Sequence, residues 1–453
     1  MKPDNRDHLF YQAQKKIPLI AKSRGVRIWD DGGKEYLDAC SGAMVCNIGH
    51  GHPRVLEAIK RQADSAFFAY RLQFESRPAL QLAHKLVAHT ADHLDRVFYV
   101  SGGSEAVEAA MKLCRQYFYS RGEGGRHLFI SRTPSYHGCT LGALALTSYA
   151  PLEAPFRPLF QPYPKIPAPY CYRCPFDGTY PQCGLRCAHA LEKVIQEQGP
   201  ENVAAFVTEP IGGASTGALV PPDGYFTVIE NICRKYGILL IFDEVLTGFG
   251  RTGKLFAYEH WQVKADILAL SKGMASGYYP LGAIMTRSEI AAQVLDAGGF
   301  AHGHTYAGNP MACAVGLEIF NIIQEENLVP HAAAMESPLR KGLEALAAQH
   351  PMIGQVRGRG LLMAIELVAD PGSRQPFAPE LEAGQRLTDT AYELGLIVYP
   401  RRPINGLAGD HVVIAPPLVI SETEIADLLD RLDRALTQTA IALNRTVKRQ
   451  RHG

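Results

Sequence analysis

Short runs of uninterrupted apolar residues alternate with longer stretches in which apolar positions recur every three or four residues, and this alternation fills the middle of the chain. The first kind of run reads as a strand buried on both faces, the second as an amphipathic helix. Arg96-Val97-Phe98-Tyr99-Val100 predicts a strand. Ser101-Gly102-Gly103-Ser104 follows it, then a helix over 105–119 with Val107, Ala110, Met111, Cys114 and Phe118 along one face. Further strands are expected over 127–131, 204–208, 238–242, 266–270 and 282–286, with a helix over 225–236. Such a pattern makes an α/β domain around a mostly parallel sheet with helices on both faces.

The two ends of the chain read differently. Val26-Arg27-Ile28-Trp29-Asp30-Asp31-Gly32-Gly33 predicts a strand and a hairpin turn returning through Tyr36-Leu37. Beyond 325 the pattern gives a helix over 335–349, a strand over 361–367, a helix over 382–394, a strand over 396–399 and a last helix over 422–443. We therefore divide the chain into a large domain over 61–325 and a smaller α+β domain built from both ends, 1–60 and 326–453.

Composition narrows the class of function. With 453 residues the chain has ample length for a large core. Lys and Arg total 46 against 45 Asp and Glu, a net charge of +1, so no global field favours nucleic acid or an anionic membrane. No apolar run approaches the ~20 residues of a membrane span. The first twenty residues lack the apolar stretch of a secretory signal. Ten cysteines without such a signal point to reduced thiols in the cytoplasm.

In parallel sheets ligands bind beyond the carboxyl ends of the strands. Here those ends carry Gly102-Gly103-Ser104, Tyr136-His137, Glu209, Asp243 and Lys272. A lysine past a strand often only reaches solvent, and a glycine turn before a helix is common; their convergence carries the weight. A helix N-terminus opened by glycines suits a phosphate. A carboxylate can hold a ring nitrogen protonated, a buried lysine can form a Schiff base, and a tyrosine can stack on a flat ring. All four requirements belong to pyridoxal phosphate.

Longer motifs give this reading a family. Asp243-Glu244-Val245-Leu246-Thr247-Gly248-Phe249-Gly250-Arg251-Thr252-Gly253, Ser271-Lys272-Gly273 and Thr305-Tyr306-Ala307-Gly308-Asn309-Pro310 resemble the class III aminotransferases of omega-amino acid and amine type, which are fold-type I pyridoxal-phosphate enzymes with a seven-stranded large sheet. The likeness extends through Ser101-Gly102-Gly103-Ser104, Glu209-Pro210-Ile211 and Gly358-Arg359-Gly360-Leu361. It implies that Lys272 carries the Schiff base and moves the proton, and that Asp243 meets the pyridine nitrogen. Val245 and Tyr136 then cover the two ring faces, and Gly103 and Ser104 hold the phosphate. Glu209 and His137 join the surrounding polar network. Thr305 reaches the phosphate of a neighbouring subunit, so the resemblance also implies a homodimer, or a tetramer of such pairs. Arg251 is expected to be structural. The same residues also support racemisation, decarboxylation or an intramolecular amino shift, since the cofactor supplies the electron sink.

Departures from the family pattern bear on the substrates. Relatives that use 2-oxoglutarate often carry Glu-Pro-Ile-Gln-Gly-Glu, whose last glutamate parks a carboxylate-binding arginine. Here the stretch is Glu209-Pro210-Ile211-Gly212-Gly213-Ala214. This resembles transaminases that take pyruvate. Their mobile arginine lies just before a Gly-Asp-His and Ala-Pro-Pro-Leu stretch. Gly409-Asp410-His411 and Ala415-Pro416-Pro417-Leu418 are present, with Arg401 and Arg402 further upstream as the candidate clamp. Met44 stands where many amine transaminases have tryptophan.

Two features stand apart from this chemistry. Cys171, Cys174, Cys183 and Cys187 follow a C-x2-C-x8-C-x3-C spacing in a loop rich in proline and tyrosine. They are candidates for a structural zinc site, with reduced thiols or oxidation to disulfides as alternatives. The basic run Arg445, Lys448, Arg449 and Arg451 is expected to be a frayed, solvated tail.

Overall fold

The structure is a computed structural model that describes residues 8, 10, 17–401 and 409–452. Its centre is a seven-stranded sheet in the order Arg96–Val100, Gly282–Thr286, Ile267–Leu270, Leu239–Asp243, Val203–Thr208, Leu128–Thr133, Lys165–Pro167. Gly282–Thr286 runs antiparallel to both its neighbours, and the pairs from Ile267–Leu270 to Lys165–Pro167 are parallel. Every residue of Leu239–Asp243 and of Val203–Thr208 is buried, as the uninterrupted apolar runs require.

Where the boundaries move from those expected, local chemistry explains the shift. The strand expected over 238–242 is Leu239–Asp243, because Asp243 still pairs with Ala269 in the parallel ladder. The helix expected from 105 begins at Gly103. Helix Pro310–Glu325 escapes the periodic pattern because it is buried on nearly every side, from Met311 to Ile323. It packs against helices Pro53–Ala63 and Arg77–Ala88.

Two smaller sheets use the chain ends. Strands Ile20–Arg24, Arg27–Asp30 and Glu35–Asp38 are joined by Leu396–Ile397, which lies parallel to Glu35–Asp38. The other sheet runs Ile353–Arg359, Leu362–Leu367, Asp410–Ile414, Tyr399–Arg401. The single strand expected over 396–399 is thus divided between two sheets at Val398. The last helix, Glu422–His452, runs through the basic segment expected to fray. Among the described residues no helix is long and apolar enough to cross a membrane.

Cys171, Cys174, Cys183 and Cys187 line one small cleft in the cysteine loop. Among the described residues no group of three or more His, Cys, Asp or Glu could hold a metal ion. Helix Arg186–Gln198 draws Cys187 into the core beside Ala188, Leu191 and Ile195, while Cys171 stays exposed on the turn Cys171–Arg173. All ten cysteines are free thiols.

Arg251 ties the small sheets to the large one. Its guanidinium is fully buried, and burial pulls its pKa down to about 10. It donates to the carbonyls of Leu361 and Pro416, to Asn47 Oδ1 at 2.9 Å and to Ser41 Oγ at 3.2 Å. Arg251→Ala leaves these acceptors unpaired in a site closed to water, an expected cost of about 3 kcal/mol. Thermal midpoints test this, with Arg251→Lys recovering only part because it lacks the planar fork. An Ala variant as stable as the parent would remove Arg251 as a tie.

Candidate active site

At the carboxyl edge of the large sheet lies a cavity of about 260 Å³. It is lined by Gly103, Ser104, Tyr136, His137, Gly138, Glu209, Asp243, Val245 and Lys272, and by a second set, called its wall below: Ala43, Met44, Ile211, Gly213, Ala214, Leu246, Thr247 and Tyr399. Eight of the expected cofactor residues therefore meet in one place. The ninth, Thr305, is exposed and does not line its own chain's cavity. Met44 lies in the wall, 2% exposed. Arg401 ends the strand that delivers Tyr399; its side chain and all of Arg402 lie outside the described residues.

Asp243 is fixed from two directions. Its Oδ1 accepts the Val245 amide at 3.1 Å, and its Oδ2 faces His137 Nδ1 at 2.9 Å. Opposite a carboxylate, Nδ1 carries the proton and donates it. His137 is 2% exposed, and its Nε2 has no partner. The carboxylate is held by its neighbours in one orientation in the lining of the cavity.

Lys272 stands on a strained backbone. Its φ is +41°, a left-handed value that non-glycine residues rarely adopt. The turn is closed by the amides of Ala275 and Ser276, which donate to the Lys272 carbonyl at 3.1 and 2.8 Å. Lys272 is the single lysine or arginine among the described residues that line the cavity.

Helix Gly103–Ser120 opens toward the same cavity with no side chain capping its first turn, so its amides are placed for an anion. Close packing makes two glycines necessary. A Cβ on Gly103 would lie 2.8 Å from Val245 Cγ1, and one on Gly138 would lie 2.6 Å from Ser104 Oγ. Ser104 Oγ accepts the Cys139 amide at 3.1 Å.

Two buried acids surround this core. Glu209 Oε1 accepts the Gly213 amide at 3.0 Å, its Oε2 lies 3.7 Å from Arg132 Nη2 without a hydrogen bond among the described residues, and burial raises its pKa. Arg132, buried within strand Leu128–Thr133, donates to the Glu209 carbonyl at 2.6 Å. Glu244 Oε1 accepts the Tyr258 amide at 2.8 Å and its Oε2 pairs with Thr247 Oγ1. Burial pushes the Glu244 carboxyl up to about 7.

The chain matches the family model described as Aminotransferase class-III over residues 10–436. The chain is a class III aminotransferase. It is 36% identical over 434 residues to the putrescine–pyruvate aminotransferase of Pseudomonas aeruginosa, covering 95% of this chain and 92% of that one. Among solved structures it superposes on an (S)-enantioselective omega-transaminase from Thermomicrobium roseum with a TM-score of 0.89 and 37% identity, covering 95% and 96% of the two chains. It matches an amine transaminase from an uncultivated Pseudomonas species, solved with pyridoxal phosphate bound, at the same TM-score with 34% identity, covering 95% and 98%. Class III aminotransferases depend on pyridoxal phosphate, and the site of this one fits that group. An uncapped helix end suits the phosphate, an oriented carboxylate a ring nitrogen, and a lysine a carbonyl carbon.

The sequence reading missed Tyr399, Leu246 and Arg132 in this aminotransferase. Arg132 had a visible signal, a lone arginine ending an apolar strand. Tyr399 had none, because only the pairing of Tyr399–Arg401 with Asp410–Ile414 brings it over the large sheet.

Glu244 makes stability depend on pH. The folded chain keeps its proton up to about pH 7, whereas an unfolded glutamate loses it near pH ~4.3. Stability is therefore full below that lower value and falls as pH rises through about 7. Glu244→Gln, which needs no proton, is expected to gain on the parent by on the order of 3 kcal/mol between pH 4 and 8. Unfolding midpoints of both proteins across that range test it, and parallel curves would refute it.

Proposed function

We propose that this aminotransferase moves an amino group from a primary amine or omega-amino acid to a 2-oxo acid, with pyruvate as acceptor, using pyridoxal phosphate bound at Lys272. The observation that carries the reading is the make-up of the cavity. Beside its chemistry-bearing groups it is lined by a mostly apolar wall of Ala43, Met44, Ile211, Gly213, Ala214, Leu246, Thr247 and Tyr399. 2-Oxoglutarate brings a second carboxylate that needs a second cation, and among the described residues lining the cavity there is no arginine to meet it. Ala214 cannot park one as the glutamate of related sequences does. The name of the Pseudomonas aeruginosa relative gives pyruvate as its acceptor, which agrees. We assign the single carboxylate of pyruvate to Arg401 or Arg402.

Gly103, Ser104 and the helix end would hold the phosphate. Asp243, oriented by His137, would sit at the ring nitrogen, with Val245 and Tyr136 against the ring faces. When bound, the cofactor supplies a carbonyl for the substrate amine and an electron sink for the electrons left at its carbon. Lys272 Nζ takes the proton from that carbon and returns it on the cofactor side. The apolar wall limits water around the reacting centre while leaving it room to hydrolyse the product free.

The active unit in this reading is a homodimer. Near Thr305 in the chain, Tyr306 is 66% exposed, and Phe67, Phe68, Leu72 (84%) and Phe74 are also exposed. The Phe68 and Tyr306 rings are 6.1 Å apart. A patch of that character marks an interface. Light scattering that returned the mass of one chain would remove it. Ten free thiols accord with a cytoplasmic location.

A matrix of amine donors against 2-oxo acids tests the function. Pyruvate is expected to exceed 2-oxoglutarate by about tenfold in kcat/KM, the worth of one unmatched carboxylate contact. Lys272→Ala is expected to abolish turnover in every pair while leaving the fold intact. A preference for 2-oxoglutarate would overturn the acceptor, and an active Lys272→Ala would overturn the site.

A further inference from the structure

The wall residues Gly213 and Ala214 belong to a small hairpin closed by the Gly212–Leu219 bridge. Its far edge is not held by the large sheet. Arg357 Nε donates to the Gly217 carbonyl at 2.6 Å and Arg357 Nη2 to the Thr216 carbonyl at 2.9 Å, while His411 Nε2 donates to the Ala214 carbonyl at 2.6 Å. Arg357 is itself shared. Its Nη2 lies 2.7 Å from Glu366 Oε2. Glu366 is 2% exposed, and although burial opposes its charge, Arg357, His411 and Arg173 hold its carboxyl below the ordinary range.

The remaining oxygen of Glu366 is taken by Arg173, which arrives from the cysteine loop on the turn Cys171–Arg173. Arg173 also donates to Tyr170 Oη at 3.3 Å. Gly409 presses against it so closely that any side chain there would overlap the guanidinium. None of these groups lines the catalytic cavity.

We propose that Arg173 is a positioning residue for the substrate wall: by taking one oxygen of Glu366 it leaves Arg357 bound to the Thr216 and Gly217 carbonyls and so fixes Gly213 and Ala214. Without Arg173, the Glu366 oxygen it held is left to Arg357, with Tyr170 and His411 as its remaining neighbours. A guanidinium offered a whole carboxylate turns to grip it with two parallel bonds. That turn draws Nε and Nη2 away from the two carbonyls, and the hairpin loses its outer anchor. The wall touches the body of the substrate and none of the reacting groups, so the consequence falls on binding rather than on the chemical step. The kinetic part of this proposal rests on the transaminase reading.

The test uses the holoenzyme and its Arg173→Ala and Arg173→Lys variants. Arg173 sits on a surface loop with its side chain partly exposed, so both variants are expected to fold. Backbone hydrogen exchange over residues 213–218 should quicken about tenfold in Arg173→Ala, and the KM for the amine donor should rise about tenfold with kcat within about twofold. Cofactor absorbance should not change. Arg173→Lys, which keeps the charge at Glu366, should recover most of both effects. Unchanged exchange over 213–218 would overturn the clamp, as would a lysine variant no better than the alanine one. A fall in kcat at constant KM would place Arg173 elsewhere in the mechanism and overturn it too. If the parent enzyme transaminated no pair, the functional reading would fail, and the exchange measurement would still decide the clamp.

Discussion

A carboxylate at the end of a fully buried strand is tolerable only if its oxygens are supplied with donors, and Asp243 is the point on which the site is built. The Val245 amide and His137 Nδ1 supply them. The first arises because the chain turns sharply after strand Leu239–Asp243. The second requires the Tyr136-His137-Gly138 segment to cross from the next strand but one and dock against Ser104 and Thr147, which accepts the His137 amide at 2.9 Å. Satisfying one buried acid therefore draws together the loop that carries Tyr136, the start of helix Gly103–Ser120 and the Val245 turn. Lys272 enters from the strand on the other side, its left-handed backbone closed by its own turn. The site is a by-product of the sheet order as much as of the residues.

That order explains what the sequence could and could not reveal. The central strands were legible because both their faces are buried, which leaves an uninterrupted apolar run in the chain. Lys272, Asp243 and Gly103 were legible because each follows such a run. The short edge strand Lys165–Pro167 was not, since three residues ending in proline carry no pattern. Helix Pro310–Glu325 was hidden for the opposite reason, being apolar nearly all round. The cysteine spacing did bring Cys171, Cys174, Cys183 and Cys187 to one cleft, but among the described residues it makes no group that could hold a metal ion. One member, Cys187, is turned into the core by a helix that the spacing does not encode.

The two halves of the cavity have different origins. Lys272, Asp243 and Glu209, the groups proposed to do the chemistry, end or follow parallel strands of the large sheet. The wall comes from segments that answer to the small sheets: Met44 beside the N-terminal strands, Tyr399 beside Asp410–Ile414, and Ala214 through His411. Arg251 joins the two halves with bonds to Leu361, Pro416, Ser41 and Asn47. A shift of the small sheets relative to the large one would move the wall and leave the Asp243–His137 pair untouched. In the proposed reading, chemistry and selectivity are thus carried on separate supports.

This separation bears on how the enzyme manages without the glutamate that related sequences place at Ala214. A glutamate there gives the wall a charged anchor inside the cavity, which must be released whenever an apolar substrate enters. Here the charge has moved outside. Glu366, Arg357 and Arg173 form a buried set behind the hairpin, and only backbone carbonyls transmit their hold to Gly213 and Ala214. Removing one partner from such a set leaves another charge unpaired in a medium of low polarity, so the set resists rearrangement as a unit. The cavity keeps a neutral, apolar face toward the substrate while its wall is still positioned by charge. In the proposed reading, a wall of that construction has no switch to offer a second carboxylate, and Met44, Ala214 and Tyr399 would select by shape what Lys272 can reach.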